Sequence, residues 1–405
     1  MERYSEYKDS GVQWLGEIPG HWKCVPLKRI CEMKSGNNLT SLDVLDKGEF
    51  PVYGANGLRG YYTQYNKEGK YILIGRQGAL AGNVHLVDGK FWATDHAVVT
   101  NITSEKVYVD YMSLALISMN LNQYAFDTAA QPGLAVSKII SFSTPLPPLS
   151  EQHSIVSYLD DKCGKIDKML EGKQKQIELL AEMKQRIIAD AVTHGLNPDV
   201  KMKATNIPWL PEIPEHWELR KMKYLFRERS EKNHPTEPML SATQTHGVIL
   251  QSKYSGRVVV VNTGFEGLKL VKVGDFVIHL RSFQGGIELA HDQGIISSAY
   301  TVLSLNDSTQ SDYFRYLFKS IPFIDLLKIC VTGIREGQNI NYTKLKQNGI
   351  PLPPLSEQRA IVSFLDDKTA KIDTLTGKLQ QEIESIKEYK QRLISDVVTG
   401  QIKVC

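Results

Sequence analysis

The chain has 405 residues, enough for two to three ordinary domains that each bury a core. Hydrophobic residues make up 42% and charged residues 23%, with Gly, Pro and aromatics at ordinary levels, which excludes a disordered or fibrous chain. A net charge of +3 is too small to imply a nucleic-acid partner by itself.

The first ten residues contain no apolar stretch that could serve as a signal peptide. No later run approaches the ~18 apolar residues of a membrane span, so a cytoplasmic protein with no membrane partner is expected. The cysteines, Cys24, Cys31, Cys163, Cys330 and Cys405, are odd in number and never spaced C-x-x-C. Reduced thiols are expected, with neither a disulfide framework nor a zinc site.

Residues 12–22 open the chain with Trp14-Leu-Gly-Glu-Ile-Pro-Gly-His-Trp22. The same element returns at 207–217 as Trp209-Leu-Pro-Glu-Ile-Pro-Glu-His-Trp217, an offset of 195. Each entry element leads into a block that reads as mixed, mainly strand and turn. In the first block Tyr71-Ile-Leu-Ile74 is a short apolar strand, and in the second Phe276-Val-Ile-His-Leu280. Each is preceded by Gly and followed by Arg76 or Arg281 and a Gly-bearing loop. The far ends of the blocks, Gln131–Lys138 and Gly337–Lys344, align at an offset of 206 with their lysines matched.

A second repeated element closes each block. Pro145-Leu-Pro-Pro-Leu-Ser-Glu-Gln152 recurs unchanged as Pro351-Leu-Pro-Pro-Leu-Ser-Glu-Gln358, and 29 of the 49 positions from Pro145 to Thr193 match those 206 residues later. Ser150 and Ser356 stand where a helix N-cap belongs, and Glu151 and Glu357 suit the positive end of the helix dipole. Apolar residues then recur at steps of four and three: Ile166, Leu170, Ile177, Leu180 and Ile187 in the first helix, and Ile372, Leu379, Ile383, Ile386 and Leu393 in the second. That pattern is a coiled-coil seam in matched register. Gly195, Asn197 and Pro198 end the first helix and Gly400 the second. An antiparallel pair related by a pseudo-twofold axis is the expected arrangement. The alternative is two helices buried in separate cores.

The expected fold class is therefore α+β, with two homologous mixed domains separated in sequence by two long antiparallel helices. The division is residues 1–149, a helix at 150–194, residues 195–355, a second helix at 356–400 and a tail at 401–405. The helices are close to neutral, each with seven Lys/Arg against eight Asp/Glu. The positive surplus lies in the blocks, where residues 21–144 hold 12 Lys/Arg against 10 Asp/Glu and residues 216–350 hold 17 against 12. Those blocks are where phosphate would be met.

Catalytic chemistry is missing. There is no [DNS]-P-P-[YFW] motif, no Gly-rich loop for S-adenosylmethionine and no G-x-x-x-x-G-K-[ST], since the four Gly-Lys pairs (Gly69, Gly89, Gly172 and Gly377 with their lysines) continue with Tyr, Phe, Gln and Leu. The histidines have no ligand spacing, and His21 and His216 are expected to pack beside their tryptophans. No G-x-S-x-G elbow appears. No catalytic residue, metal or cofactor is assigned.

The twin Ile-Pro-x-His-Trp entries (Ile18–Trp22 and Ile213–Trp217), the twin Pro-Leu-Pro-Pro-Leu-Ser-Glu-Gln segments and two Lys-Gln-Arg helices ending in Val-Thr resemble type I restriction-modification specificity subunits, the HsdS family. The resemblance covers nearly the whole chain. It implies two target recognition domains, each reading one half of a split sequence in double-stranded DNA. Two modification subunits would dock on the helical frame to methylate adenine, and restriction subunits would join through them. S-adenosylmethionine, ATP and Mg would belong to those partners, and the chain would have no catalysis of its own. A protein-binding scaffold and a stand-alone enzyme are the other two readings, and DNA affinity that falls steeply with salt separates the first from both.

Base-edge reading needs paired donors and acceptors: Arg toward guanine, Asn or Gln toward adenine. In the first block Arg59, Arg76 and Gln77 fit, and in the second Gln244, Arg257, Arg281 and Gln284. Lys138 and Lys344, aligned between halves, are assigned to phosphate. Gly36, Gly54, Gly57 and Gly78 are read as turn formers.

Overall fold

The computed structural model describes residues 2–78, 80–125, 133–256, 263–306, 311–332 and 339–404. Of the segments singled out above, Gln131, Pro132, Arg257, Gly337, Gln338 and Cys405 lie outside the described residues. The chain forms two compact units, residues 1–174 with 380–405 and residues 175–379. Each unit holds one variable block, the start of one long helix and the end of the other.

In the first unit, β1 (Cys31–Ser35), β2 (Tyr71–Gly75), β3 (Val84–Val87) and β4 (Ala97–Ile102) form an antiparallel sheet in the order β1-β4-β2-β3. In the second, β5 (Phe226–Arg229), β6 (Phe276–Ile278), β7 (Glu288–Leu289) and β8 (Thr301–Leu305) repeat that order as β5-β8-β6-β7, again antiparallel. The blocks share almost no sequence, yet they share this sheet.

Both faces of each sheet are buried, which explains why β2 and β6 read as continuous apolar runs. Ile72, Ile74 and Val98 face the core that contains Trp22, while Leu73 and Val99 face a second cluster with Phe91. Likewise Phe276, Ile278 and Leu303 join Trp217, and Val277 and Val302 join Val248 and Val271. The β6 strand stops at Ile278, two residues short of the expected end. The main-chain N–H of His279 donates instead to Ser282 Oγ at 2.9 Å, which turns the chain into the short helix Ser282–Gly285.

The frames close around the blocks. Lys23–Pro26 pairs antiparallel with Ser143–Leu146, and Glu218–Lys221 with Gly349–Leu352, so entry and exit of each block are joined by one ladder. The first long helix spans Leu149–His194 and the second Leu355–Val398. Both begin one residue before the expected serines. Pro148 and Pro354 hold the N-cap positions, and their carbonyls accept from Gln152 and Gln358 N–H at 3.0 Å. Ser150 and Ser356 therefore lie inside the first turn. The caps are proline because the Pro-rich lead arrives extended, which suits the residue just outside a helix.

Within the first unit the helices run antiparallel, with Lys390 Nζ on Asp167 at 2.6 Å and Lys173 Nζ on Glu382 at 2.5 Å. In the second, Lys184 Nζ reaches Asp373 at 2.7 Å. Along the seam, Ile372, Leu379, Ile383 and Leu393 are buried, while Ile386 and all five first-helix positions (Ile166, Leu170, Ile177, Leu180 and Ile187) are half-buried. The helix ends bury a wider stripe. Ile155, Val156 and Leu159 share a core with Leu393, Ile394, Val397 and Val398 in the first unit, as do Ile361 and Leu365 with Ile188, Ala191 and Val192 in the second. Within each unit the two arrangements weighed from sequence thus coexist, since the helices pair and their ends there are sunk in that unit's core. Gly195 (φ +80°) and Gly400 (φ +76°) end the helices in the left-handed region, and a Cβ would stand 3.2 Å from Trp217 and 2.4 Å from Pro19 respectively.

Candidate nucleic-acid interface

The repeated motifs turn out to be the two sides of one contact. Trp22 is fully buried and its indole Nε1 donates to Glu151 Oε2 at 2.9 Å, while His21 Nε2 lies 2.7 Å from Oε1. In the second unit Trp217 donates to Glu357 Oε2 at 2.7 Å, and His216 lies 2.6 Å from Oε1. The expected packing of His21 beside Trp22 is present as an edge contact. The final glutamine of each motif turns back on its prolines: Gln152 Nε2 donates to the Pro147 carbonyl at 2.9 Å, and Gln358 Nε2 to Pro353 at 2.7 Å. Tyr111 and Tyr313 complete the frame. Tyr111 donates to the Pro145 and Val398 carbonyls, Tyr313 to those of Pro351 and Val192. The motifs therefore fix where each block starts and stops and which helix end it meets.

Burial pulls the Glu151 carboxyl upward, but the donors from Trp22, His21 and Tyr4 outweigh it and hold the group below its ordinary value. Glu151 is a structural anion.

With the frame fixed, the loops beyond β2 and β6 carry Arg76, Gln77, Arg281 and Gln284, while Arg59 and Gln244 come from segments earlier in each block. Arg76 follows β2 with its main chain pinned on both sides: its N–H donates to the His96 carbonyl at 2.9 Å and its carbonyl accepts from Leu134 at 2.8 Å. Its guanidinium donates to Ser35 Oγ at 3.2 Å. Gln77 is exposed, bridged through its backbone to Gly133. Arg59 is exposed on the strand Gly57–Tyr62, and its stem lies across Gly54, where a Cβ would be 2.5 Å from Arg59 Cδ and 3.5 Å from Thr94 Oγ1. Arg59 and Arg76, 17 residues apart in the chain, thus flank the same turn at Thr94–His96. Thr94 is buried and its hydroxyl has no hydrogen-bond partner among the described residues. Nearby, burial pushes the His85 imidazole below its ordinary value, and its ring lies under Gly57.

The second unit assembles Gln244, Arg281 and Gln284, all exposed. Arg281 holds the N-cap position of the helix Ser282–Gly285, which carries Gln284, and Gln244 lies over that helix, its Cδ 2.9 Å from where a Gly285 Cβ would stand. Lys319 lies beside Gln244, donating to its main-chain carbonyl at 3.3 Å and to the buried Glu288 carboxylate at 2.5 Å. Ser35, Thr94, His96 and Lys319 were not singled out from sequence. They come from distant strands and helices, and only the sheet order brings them in.

Lys138 and Lys344 have a shared internal contact. Lys138 Nζ donates to the Tyr124 carbonyl at 3.2 Å and Lys344 Nζ to that of Ile329 at 2.8 Å, each tying a short helix to the chain before it. That tie is an internal role the two aligned lysines share. Among the described residues no three His, Cys, Asp or Glu side chains converge as a metal site, and no helix is long and apolar enough to cross a membrane.

A family model described as the type I restriction modification DNA specificity domain matches residues 19–179 and again 213–385. The chain belongs to that family. The specificity domain thus occurs twice, each copy running from an entry element through its block into a long helix. The EcoprrI specificity subunit of Escherichia coli is 37% identical over 164 residues, 39% of this chain and 40% of that relative. The putative MjaX specificity subunit of Methanocaldococcus jannaschii is 26% identical over 430 positions, covering 96% of both chains. In a solved structure concerned with complex assembly and conformational transition of the type I R-M system, one chain shares the fold with a TM-score of 0.66 over 95% of this chain and 99% of its own, at 16% identity.

Proposed function

We propose that this specificity subunit reads a bipartite target in double-stranded DNA, one half with each unit. The observation that carries the reading is that one sheet and one frame occur twice, while the loops mounted on them present different polar side chains. Arg59, Arg76 and Gln77 serve one half-site; Gln244, Arg281 and Gln284 serve the other. Lys138 and Lys344 add phosphate contacts alongside their internal ties. The near-neutral paired helices set the unread spacer and dock two modification subunits, through which restriction subunits join. S-adenosylmethionine, ATP and Mg enter with those partners, which methylate adenine and cut. A cytoplasmic location, with the DNA, goes with this reading.

The test is equilibrium binding of the purified chain, with and without modification subunits, to duplexes over a salt series. Steep loss of affinity with salt, and no methyl transfer by the chain alone, are expected. Salt-independent binding, or methyl transfer by chain free of modification subunits, overturns the proposal.

A further inference from the structure

The two units differ at one place where the repeat predicts sameness. In the first, the clamp carboxylate has three donors, because Tyr4 OH also donates to Glu151 Oε2 at 3.1 Å. The Tyr4 ring sits 5.5 Å from the His21 ring and 5.8 Å from that of Trp22, and Tyr7 OH behind it donates to the Gly400 carbonyl at 2.8 Å. In the second unit the 195 offset puts Asp199 where Tyr4 stands, and Asp199 is exposed. The matching space is a cavity of about 220 Å³ bounded by Gly195, Pro214, His216, Glu357, Ala360 and Ile361. Among them His216 and Glu357 correspond to His21 and Glu151, which lie beside Tyr4 in the first unit, and the chain at Leu196, Asn197 and Val200 forms a further wall. The two carboxylates record the difference: the Glu151 side chain is 17% exposed and Glu357 40%.

We propose that the cavity beside Glu357 is a binding site for a tyrosine side chain carried by an extended segment of a partner protein. The first unit displays a tyrosine at the equivalent position, donating to the equivalent carboxylate. The ring would lie between Gly195, Pro214 and His216, and the phenol would donate to the open Glu357 carboxylate, as Tyr4 does to Glu151. A charged acceptor at the end of an apolar pocket selects an aromatic hydroxyl over a plain ring. Nothing in this inference depends on which DNA the chain reads.

The probes are p-cresol, toluene and the synthetic peptide Glu-Arg-Tyr-Ser-Glu-Tyr, which reproduces residues 2–7. The full chain is titrated and the Trp217 indole N–H signal followed by NMR, since that group donates to Glu357. Saturable shifts with p-cresol and the peptide are expected, with toluene at least about tenfold weaker because it lacks the donor. Two variants block the site without touching the clamp: Asp199→Tyr places a ring in cis, and Ala360→Phe fills the wall. Both should abolish the shifts while the wild-type unfolding midpoint is kept. Absence of saturable binding, equal affinity for toluene and p-cresol, or undiminished binding by both variants would overturn the proposal.

Discussion

A buried indole N–H needs an acceptor, and in each half the glutamate in the first turn of a long helix supplies it. Removing the donor from the first clamp by Trp22→Phe is expected to lower unfolding stability by about 1.5–3 kcal/mol, the worth of a hydrogen bond to a charged group, read by urea titration. The Glu151 carboxyl is held below its unfolded value, so the clamp's contribution is whole above the ordinary carboxylate range and disappears as pH falls through the folded value. The stability gap between wild type and Glu151→Gln should accordingly narrow as the pH drops below ~4.3. A gap that widens on acidification contradicts the assignment. The loop arginines act on DNA instead. Arg76→Ala and Arg281→Ala should each cost about 1–3 kcal/mol at one half-site with little change in fold stability. An equal loss on specific and random duplexes would make them phosphate contacts.

At the scale of elements, the frames were legible because they are built from local rules written twice. Apolar spacing located both helices, and glycine at a left-handed position located both ends. The cap was misplaced by two residues, since Ser150 and Ser356 fit an N-cap in isolation, whereas the Pro-rich lead brings Pro148 and Pro354 to it. The wider apolar stripe at the helix ends, such as Ile394 and Val397, went unread because a seam pattern registers only the partner helix. The helices also carry a prediction. Gly172 is exposed with open space where a Cβ would stand, and four residues inserted after it, one turn of about 6 Å, keep the seam near phase. With modification subunits, the methylated motif should retain both half-sequences and gain one or two base pairs of spacer. Methylation at the original spacing means the helices do not measure the gap.

For the whole molecule, the duplication carried the architecture, and the blocks were the least readable part. Tyr71–Ile74 and Phe276–Ile278 were visible as strands because both faces are buried. The order β1-β4-β2-β3 was not visible, as it rests on pairings such as Val98 with Ile74 and Ser35 that no local pattern encodes. For the same reason Arg59 and Arg76 could be picked by residue type but not seen to share a turn. The division into units likewise depends on tertiary contact: Tyr111 binds the end of the second long helix and Tyr313 the end of the first, so each block closes on a helix that belongs, in sequence, to the other frame. The claim that two independent modules read two half-sequences is tested most directly by exchanging one of them. Residues 23–144 are replaced with the corresponding block of a relative, the chain is assembled with its modification subunits, and methylated adenines are mapped at base resolution. One half of a split motif should change while the other half stays; a change in both halves, or in neither, would contradict the account.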